Sequence, residues 1–211
     1  MRRKKKLESC MSVFHSGIGP SEEIYIQEIA DLYCKIWREP PWNEEFWTNE
    51  GVAEDIKNQM KKVGSCLLIV QDTKDWRVIG FSWGYEVNAT DLSKISGIPE
   101  SKWKEAIGEE TAFYIDELGV DKNYRRQGVG ERLTGELLGE TVNDLNSLKR
   151  GDNPGYAILR TDVGALAARN LYKKLGFQEL NLVDAKYSTR TYWLKKSWKP
   201  RSDCADCPFY P

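Results

Sequence analysis

Apolar residues recur every three to four positions in four parts of the chain, and this spacing predicts amphipathic helices. The first predicted helix begins at Ser21, a favourable N-cap residue, and ends before Pro40 and Pro41, because a residue that precedes proline disfavours helical geometry. The other three cover residues 48–62, 128–146 and 165–175. Gly176 directly follows the last of them, where a helix C-terminus favours glycine.

Short apolar runs between these helices predict strands. They cover 65–71, 77–86, 112–120, 156–161, 177–182 and 190–194. Residues 88–110 are polar, so we expect a functional loop or lid there, in which a short helix over 100–107 would fit. The predicted order is α-α-β-β-β-α-β-α-β-β, which indicates a mixed α/β fold with helices around one sheet.

The length of the chain and its longest apolar run narrow the class of protein. A chain of 211 residues, 40% of them hydrophobic, fits one globular domain. We expect a basic mobile tail over 1–20, the domain over 21–198 and a C-terminal tail over 199–211. The longest apolar run, 66–70, is far shorter than the roughly 18–20 residues of a membrane span, so we expect neither a membrane span nor a secretory signal.

The 31 basic and 32 acidic residues give a net charge of −1, which argues against nucleic acid as a partner. The five cysteines, an odd number, are typical of a reduced, cytoplasmic protein. His15 is the only histidine, so we expect no zinc site and no histidine-dependent hydrolase. Cys204 and Cys207 have no partner cluster in the sequence, although redox pairing or a metal shared between chains stays open.

Residues 121–130 follow a predicted strand and open a helix, and they contain Gly128 and Gly130. Free backbone N–H groups and the positive end of the helix dipole favour a bound phosphate at such a position. Glycine lets the backbone approach the anion, and Arg125 and Arg126 add positive charge. The spacing fits neither a Walker A loop nor the three-glycine dinucleotide motif.

The run from Arg125 to Gly130 resembles motif A, Arg/Gln-x-x-Gly-x-Gly/Ala, of the GCN5-related N-acetyltransferase (GNAT) family. Residues 170–177 resemble its motif B, Asn-x-Tyr-x-x-x-Gly-Phe, and 114–120 resemble its central strand. The resemblance covers about residues 21–196. It implies the acyl-CoA N-acyltransferase fold, with a mixed, mostly antiparallel sheet flanked by helices, and acetyl-CoA as cosubstrate without a metal.

The resemblance also implies which residues hold acetyl-CoA. The pyrophosphate would bind the motif A loop, the pantetheine amides would pair with the backbone of the central strand, and motif B would contribute one more contact. The implied cofactor-binding residues are Leu118, Val120, Arg125, Arg126, Gln127, Gly128, Val129, Gly130 and Asn170.

The resemblance implies that Tyr172 is the general acid, and a phenol can donate a proton to a thiolate at neutral pH. For the general base we favour Glu117, because carboxylates just before the bulge in this strand serve in several relatives. Strand alternation would place Glu117 with Phe113 and Ile115, and Asp116 on the opposite face, so that only one of them faces the acceptor. A bulge near Leu118 would change which one, and a base relayed through water is also open.

The acceptor implied by the resemblance is a primary amine of a small molecule or a peptide. Four carboxylates lie beside three aromatic residues within 39–50, a composition that would suit a cationic amine. They are Glu39, Glu44, Glu45 and Glu50, beside Trp42, Phe46 and Trp47. A solvated acidic turn is the alternative for the loop, and a non-catalytic acyl-CoA-binding regulatory module is the alternative for the function. Several family members form dimers through their last strands, which leaves a homodimer open here.

Overall fold

A seven-stranded sheet forms the centre of the computed structural model, which describes residues 9–15, 23–147 and 155–196. Its strands are β1 Ser9–His15, β2 Cys66–Asp72, β3 Val78–Val87, β4 Ala112–Val120, β5 Tyr156–Asp162, β6 Gln178–Val183 and β7 Arg190–Lys196. Their order across the sheet is β1-β2-β3-β4-β5-β7-β6. All neighbours are antiparallel except β4 and β5, which run parallel.

Six α-helices cover the two faces of this sheet. They are α1 Glu23–Trp37, α2 Asn49–Gln59, α3 Ala89–Ser96, α4 Glu100–Ile107, α5 Val129–Ser147 and α6 Leu166–Lys174. Helices α1 and α2 pack with Phe81 and Trp83 of β3, and α3 and α4 pack with Tyr85 of the same strand. Helices α5 and α6 pack with Phe113 and Ile115 of β4. Because side chains alternate along a strand, α1–α4 lie on one face and α5 and α6 on the other.

The pairing between β4 and β5 stops halfway along the two strands. Ala112–Ile115 of β4 pairs with residues 156–159 of β5, and no further pairs follow. Strand β5 continues to Asp162 along β7, and β4 continues to Val120 along β3. The two strands therefore separate from Asp116 and Arg160 onward, and the gap between them opens a cleft in the middle of the sheet.

The mixed α/β fold and its mostly antiparallel sheet agree with the sequence prediction, and each predicted helix and strand has a counterpart. One strand and one α-helix were not predicted. Residues 9–15, which we placed in the tail over 1–20, form β1, whose backbone pairs antiparallel with the open edge of β2. Helix α3 lies in the predicted loop over 88–110 and begins with a capping box between Asn88 and Asp91. The other residues of the predicted N-terminal tail lie outside the described residues. So does the predicted C-terminal tail over 199–211, with Cys204 and Cys207.

Candidate active site

The gap between β4 and β5 opens into a cleft of about 870 Å³. Its walls also include the start of α5, the length of α6 and the segment that joins α1 to α2. Ten of the eleven predicted site residues line it: Glu117, Leu118, Val120, Arg125, Arg126, Gly128, Val129, Gly130, Asn170 and Tyr172. Gln127 does not line it, and its side-chain amide donates instead to the carbonyl of Asn123 at 3.0 Å.

The start of α5 forms one end of the cleft. Gly128 has φ = +89°, and Arg126 has φ = +61°, so the chain turns sharply before the helix begins. A Cβ atom on Gly128 would meet no neighbour within 4 Å, so the backbone angle, and not crowding within the chain, favours glycine there. The first N–H groups of a helix lack intrahelical partners, which makes this end of the cleft suitable for an anion.

Arg125 connects this end of the cleft to the opposite wall. Its Nε donates to the carbonyl of Val120 at 2.9 Å, and its Nη1 lies 2.6 Å from Oε2 of Glu39, in the segment after α1. Lys174 of α6 forms a second ion pair at 2.6 Å with Glu131 of α5. Arg125 and Lys174 thus bring positive charge close to the start of α5, and each of them is ion-paired with a carboxylate.

A β-bulge in β4 sets the direction of the two candidate bases. Trp83 of β3 pairs with Glu117 and the next residue, Gly84, pairs with Ile115, so Asp116 is the extra residue of the bulge. Glu117 therefore lies on the face of Trp83, away from Ile115. The predicted grouping of Glu117 with Phe113 and Ile115 was wrong, because the bulge reverses the alternation of side chains. It lies at Asp116, two residues before Leu118.

Both carboxylates consequently lie on the same face of the sheet and border the same cleft. Oε1 of Glu117 accepts a hydrogen bond from the Tyr33 hydroxyl of α1 at 3.1 Å. Asp116 accepts one from the Tyr85 hydroxyl at 3.4 Å. The predicted placement of the two carboxylates on opposite faces was therefore wrong.

Burial dominates the acid–base properties of this pair. It raises the pKa of Glu117 well above its usual value, the neighbouring charge of Asp116 raises it further, and Arg160 and the Tyr33 hydroxyl oppose the shift. Burial also raises the pKa of Asp116, against the positive charges of Lys62 and Arg160. A raised pKa makes a carboxylate a stronger base, which suits it to accept a proton from an amine.

Tyr172 lies on α6 and lines the same cleft as these carboxylates. It is buried, and its ring packs edge-on against Phe177 with 5.9 Å between the centroids. Among the described residues its hydroxyl makes no hydrogen bond. Burial raises the pKa of Tyr172, and the charge of Glu117 raises it further, so the phenol stays protonated and available as a proton donor.

The segment 39–50 differs from the acidic acceptor side that the sequence suggested. Glu39 is bound to Arg125, and Glu44 forms an ion pair with Arg190 and accepts a hydrogen bond from the Trp47 indole at 2.6 Å. Only Glu45 and Glu50 of the four carboxylates remain exposed without such a partner among the described residues. Arg160 and Arg190 also line the cleft.

Sequence reasoning missed Tyr33, Arg160 and Arg190. Tyr33 follows the helical apolar spacing of α1, so its pattern indicates a core residue and nothing more. The two arginines gain their position only through pairing between β5 and β7, where Arg190 lies opposite Asp162. No local pattern distinguishes them from solvated arginines.

Within the described residues, no helix is both long and apolar enough to cross a membrane. The same residues contain no group of three or more histidine, cysteine, aspartate or glutamate side chains able to hold a metal ion.

Solved structures with the same fold are distant in sequence. An acetyltransferase of the GNAT family from Staphylococcus aureus Mu50 superposes with a TM-score of 0.59 at 13% identity, over 89% of this chain and 99% of that one. The ribosomal-protein-alanine N-acetyltransferase from Brucella melitensis gives 0.59 at 16% identity, over 88% and 99%. Arabidopsis thaliana NAA60 in complex with acetyl-CoA gives 0.55 at 17% identity, over 90% and 98%.

No curated protein matches the chain. The family relationship is nevertheless clear from the sequence, since residues 43–179 match the acetyltransferase (GNAT) domain family. That match covers more than half of the chain and includes the bulged strand, the start of α5 and Tyr172. The protein belongs to the GNAT family of acetyltransferases.

Proposed function

We propose that this protein transfers the acetyl group of acetyl-CoA to the primary amine of a small molecule or a peptide. The observation that carries the proposal is that Glu117 and Tyr172 line the same cleft as the phosphate-binding start of α5. A base, an acid and an anion site in one cleft are what acetyl transfer from a nucleotide thioester requires.

The geometry supports one orientation of the cosubstrate. The pyrophosphate binds the first amides of α5 at Gly128–Gly130, with Arg125 and Arg126 beside it. The pantetheine follows β4 at Leu118 and Val120, because β5 has separated there and leaves backbone groups of that edge without a strand partner. Asn170, exposed on α6 and on the cleft wall, contacts the pantetheine from the other side.

In the reaction, the amine nitrogen attacks the thioester carbon, a C–N bond forms and the C–S bond breaks. Glu117 accepts the proton that the nitrogen loses, with Asp116 raising its basicity. Tyr172 donates a proton to the departing thiolate, and afterwards Glu117 releases its proton to solvent and the phenol regains one from solvent. Orientation of the two reactants in one cleft contributes much of the rate, on the order of 7–11 kcal/mol in well-aligned cases.

The expectation of a cationic acceptor has less support than the sequence suggested, because Glu39 and Glu44 are already ion-paired. An amine that enters as ammonium must still lose a proton, so the carboxylate pair remains suited to it.

The test is release of CoA thiol from acetyl-CoA in the presence of a panel of amines, together with direct measurement of acetyl-CoA binding. Turnover that Gly128→Glu abolishes through lost cosubstrate binding supports the proposal. The alternative, a non-catalytic acyl-CoA-binding module, predicts binding that Gly128→Glu abolishes and no turnover with any amine.

A further inference from the structure

Two arginines that line the cleft form a cluster with two aromatic rings. The guanidinium carbon of Arg190 lies 4.1 Å from the centroid of the Tyr187 ring, and that of Arg160 lies 5.7 Å from it. Arg190 also lies 5.5 Å from the centroid of Trp42. Contacts with ring faces hold a guanidinium in place while leaving its N–H groups free to donate.

Each arginine is anchored by one carboxylate that has little capacity left. Asp184 accepts from Nη1 of Arg160 at 2.7 Å, from the Tyr192 hydroxyl at 2.7 Å, and from the backbone N–H groups of Lys186 and Tyr187 at 2.8 and 3.0 Å. Four such bonds use the lone pairs of a carboxylate. Asp184 is therefore an anchor and not a site for a cationic substrate.

Glu44 has the same function for Arg190, since its two oxygens accept from Arg190 and from the Trp47 indole. A guanidinium has five N–H donors. Among the described residues Arg190 donates to Glu44, and Arg160 donates to Asp184 and to the Tyr192 hydroxyl, so each arginine keeps further N–H groups. Their side chains are only 20% and 15% exposed, and both line the cleft. The remaining donors thus border a confined space, where charge–charge attraction is stronger than in open water.

These two guanidinium groups also act on the catalytic end, because both lower the pKa of Glu117. The carboxylate of Asp116 acts on Glu117 in the opposite sense, so carboxylates and guanidinium groups lie side by side in the cleft. The guanidinium groups favour an acceptor that brings its own negative charge, provided that the amine reaches Glu117 while the anionic group reaches the arginines.

We propose that the acceptor is an amine that carries a carboxylate, such as an amino acid, and that Arg160 and Arg190 bind this carboxylate. The planar, forked guanidinium matches a carboxylate with two parallel hydrogen bonds. The inference depends on the acetyl transfer proposed above and specifies the substrate class of that same site.

The experiment compares three amines with a similar skeleton, β-alanine, propylamine and 2-aminoethylphosphonate, and then the amino acids against their carboxamides. Thiol release is measured as a function of pH, so that rates are compared at equal concentrations of free amine. We expect kcat/KM for the carboxylate-bearing amines to exceed that of the neutral ones by about 10- to 100-fold, the range for hydrogen bonds to a charged group.

The variant Glu44→Gln/Arg190→Gln removes both members of one ion pair and so leaves no buried charge unpaired. We expect it to lose most of this preference through a higher KM for the acceptor, with the KM for acetyl-CoA unchanged. Arg190→Lys, which keeps the charge and loses the fork, should lose part of it. The matched control is Glu179→Gln/Arg169→Gln, because this pair, at 2.8 Å, also lies near an aromatic ring but does not line the cleft.

Equal rates for acids and neutral amines in the wild type would overturn the inference and leave the acetyltransferase proposal intact. A preference that survives the double variant would overturn it as well, since other groups would then bind the carboxylate. Faster turnover of the phosphonate would identify a phosphate-bearing acceptor and contradict the carboxylate. An absence of turnover with every amine would overturn both proposals.

Discussion

Glu39 and Arg125 join the two rims of the cleft at its cosubstrate end, with 2.6 Å between the carboxylate and the guanidinium. Arg125 precedes the start of α5, where we propose that the CoA pyrophosphate binds, and Glu39 follows α1. The same guanidinium that would attract the CoA pyrophosphate is thus bound to a carboxylate of the chain. A bound pyrophosphate must either displace Glu39 or share Arg125 with it.

The first prediction follows from this competition. Glu39→Gln should tighten acetyl-CoA binding by about two- to fivefold, which corresponds to the modest worth of a partly exposed ion pair. The gain should shrink as salt is added, because exposed charges are screened. Calorimetric titration at two salt concentrations measures it, with Glu45→Gln as the control for a nearby exposed carboxylate. Weaker binding in Glu39→Gln would show that the pair preorganises Arg125.

Tyr172→Phe is the second prediction. We expect kcat to fall by about 10²- to 10⁴-fold, the usual contribution of a positioned general acid, while the affinity for acetyl-CoA changes little. The melting temperature should stay close to that of the wild type, because no described residue hydrogen-bonds to the Tyr172 hydroxyl. Single-turnover kinetics and a thermal melt test both statements. An unchanged kcat would exclude the acid role.

The sequence predicted most elements of this fold, because their signals are local. The spacing of apolar residues indicates α1 and α5, and the two glycines mark the start of α5. Strand β1 has no such signal, since its position depends on pairing with β2, 51 or more residues away along the chain. Its seven residues alternate too weakly to predict a strand.

The candidate site was predictable to the same extent. Residues that belong to one motif, such as Gly128 and Gly130, were found together from sequence. The direction of Glu117 was not, because the bulge depends on how β3 and β4 pair, and a shift of one residue moves a side chain to the other face. The positions of Arg160 and Arg190 depend on the pairing of β5 with β7, which no local pattern reveals.

The third prediction concerns the pH dependence of the reaction. Asp116 raises the pKa of Glu117, so Asp116→Asn should lower it and move the acidic limb of kcat/KM for the acceptor to lower pH. Tyr33→Phe should move the same limb to higher pH, because the lost hydrogen bond stabilises the ionised carboxylate. Opposite shifts in the two variants would identify Glu117 as the group that titrates. If neither variant moves the limb, the base is another group or a water molecule.

The fourth prediction concerns stability. Because burial raises the pKa of Asp116 in the folded protein, its proton favours folding at low pH, and this contribution is lost as the pH rises through the folded pKa. Asp116→Asn removes the cost of burying an ionised carboxylate. At neutral pH it should therefore raise Tm by about 2–4 °C, equivalent to about 1 kcal/mol in the free energy of unfolding. The difference from the wild type should decrease as the pH is lowered, because the wild-type carboxyl then becomes protonated.

Asp184 is a control for this prediction, because its pKa is shifted in the opposite direction. Its pKa is lowered despite burial, chiefly by the hydrogen bonds from Arg160 and Tyr192, so its charge stabilises the fold above the usual carboxylate pKa. Asp184→Asn should therefore destabilise the protein at neutral pH, by about 3 kcal/mol or more, because it leaves Arg160 without its partner. Thermal melts of both variants across pH 4–8 separate the two effects. Equal behaviour of the two aspartates would contradict the assignment.

The last prediction tests the bulge itself. Gly84 lies opposite the bulge, where an added Cβ would fall 2.3 Å from the carbonyl oxygen of Tyr114 and 2.7 Å from the Phe113 ring. The backbone of β4 cannot move aside as a flexible side chain can. Gly84→Ala must therefore push β3 and β4 apart at the place where the side chains of Asp116 and Glu117 project from β4. We expect a loss of about 1–3 kcal/mol in stability, the usual cost of overpacking.

Gly84→Ala should also lower kcat by more than a loss of folded protein explains. The reason is that a displacement of the carboxylate pair by a fraction of an ångström changes the distance from Glu117 to the amine. Gly135→Ala is the matched control, since it lies within α5 with nothing within 4 Å of the added Cβ, and alanine favours a helix over glycine by about 1 kcal/mol. We expect that variant to be slightly more stable and equally active. A Gly84→Ala protein with normal kcat would show that the bulge shapes the strand without positioning the base.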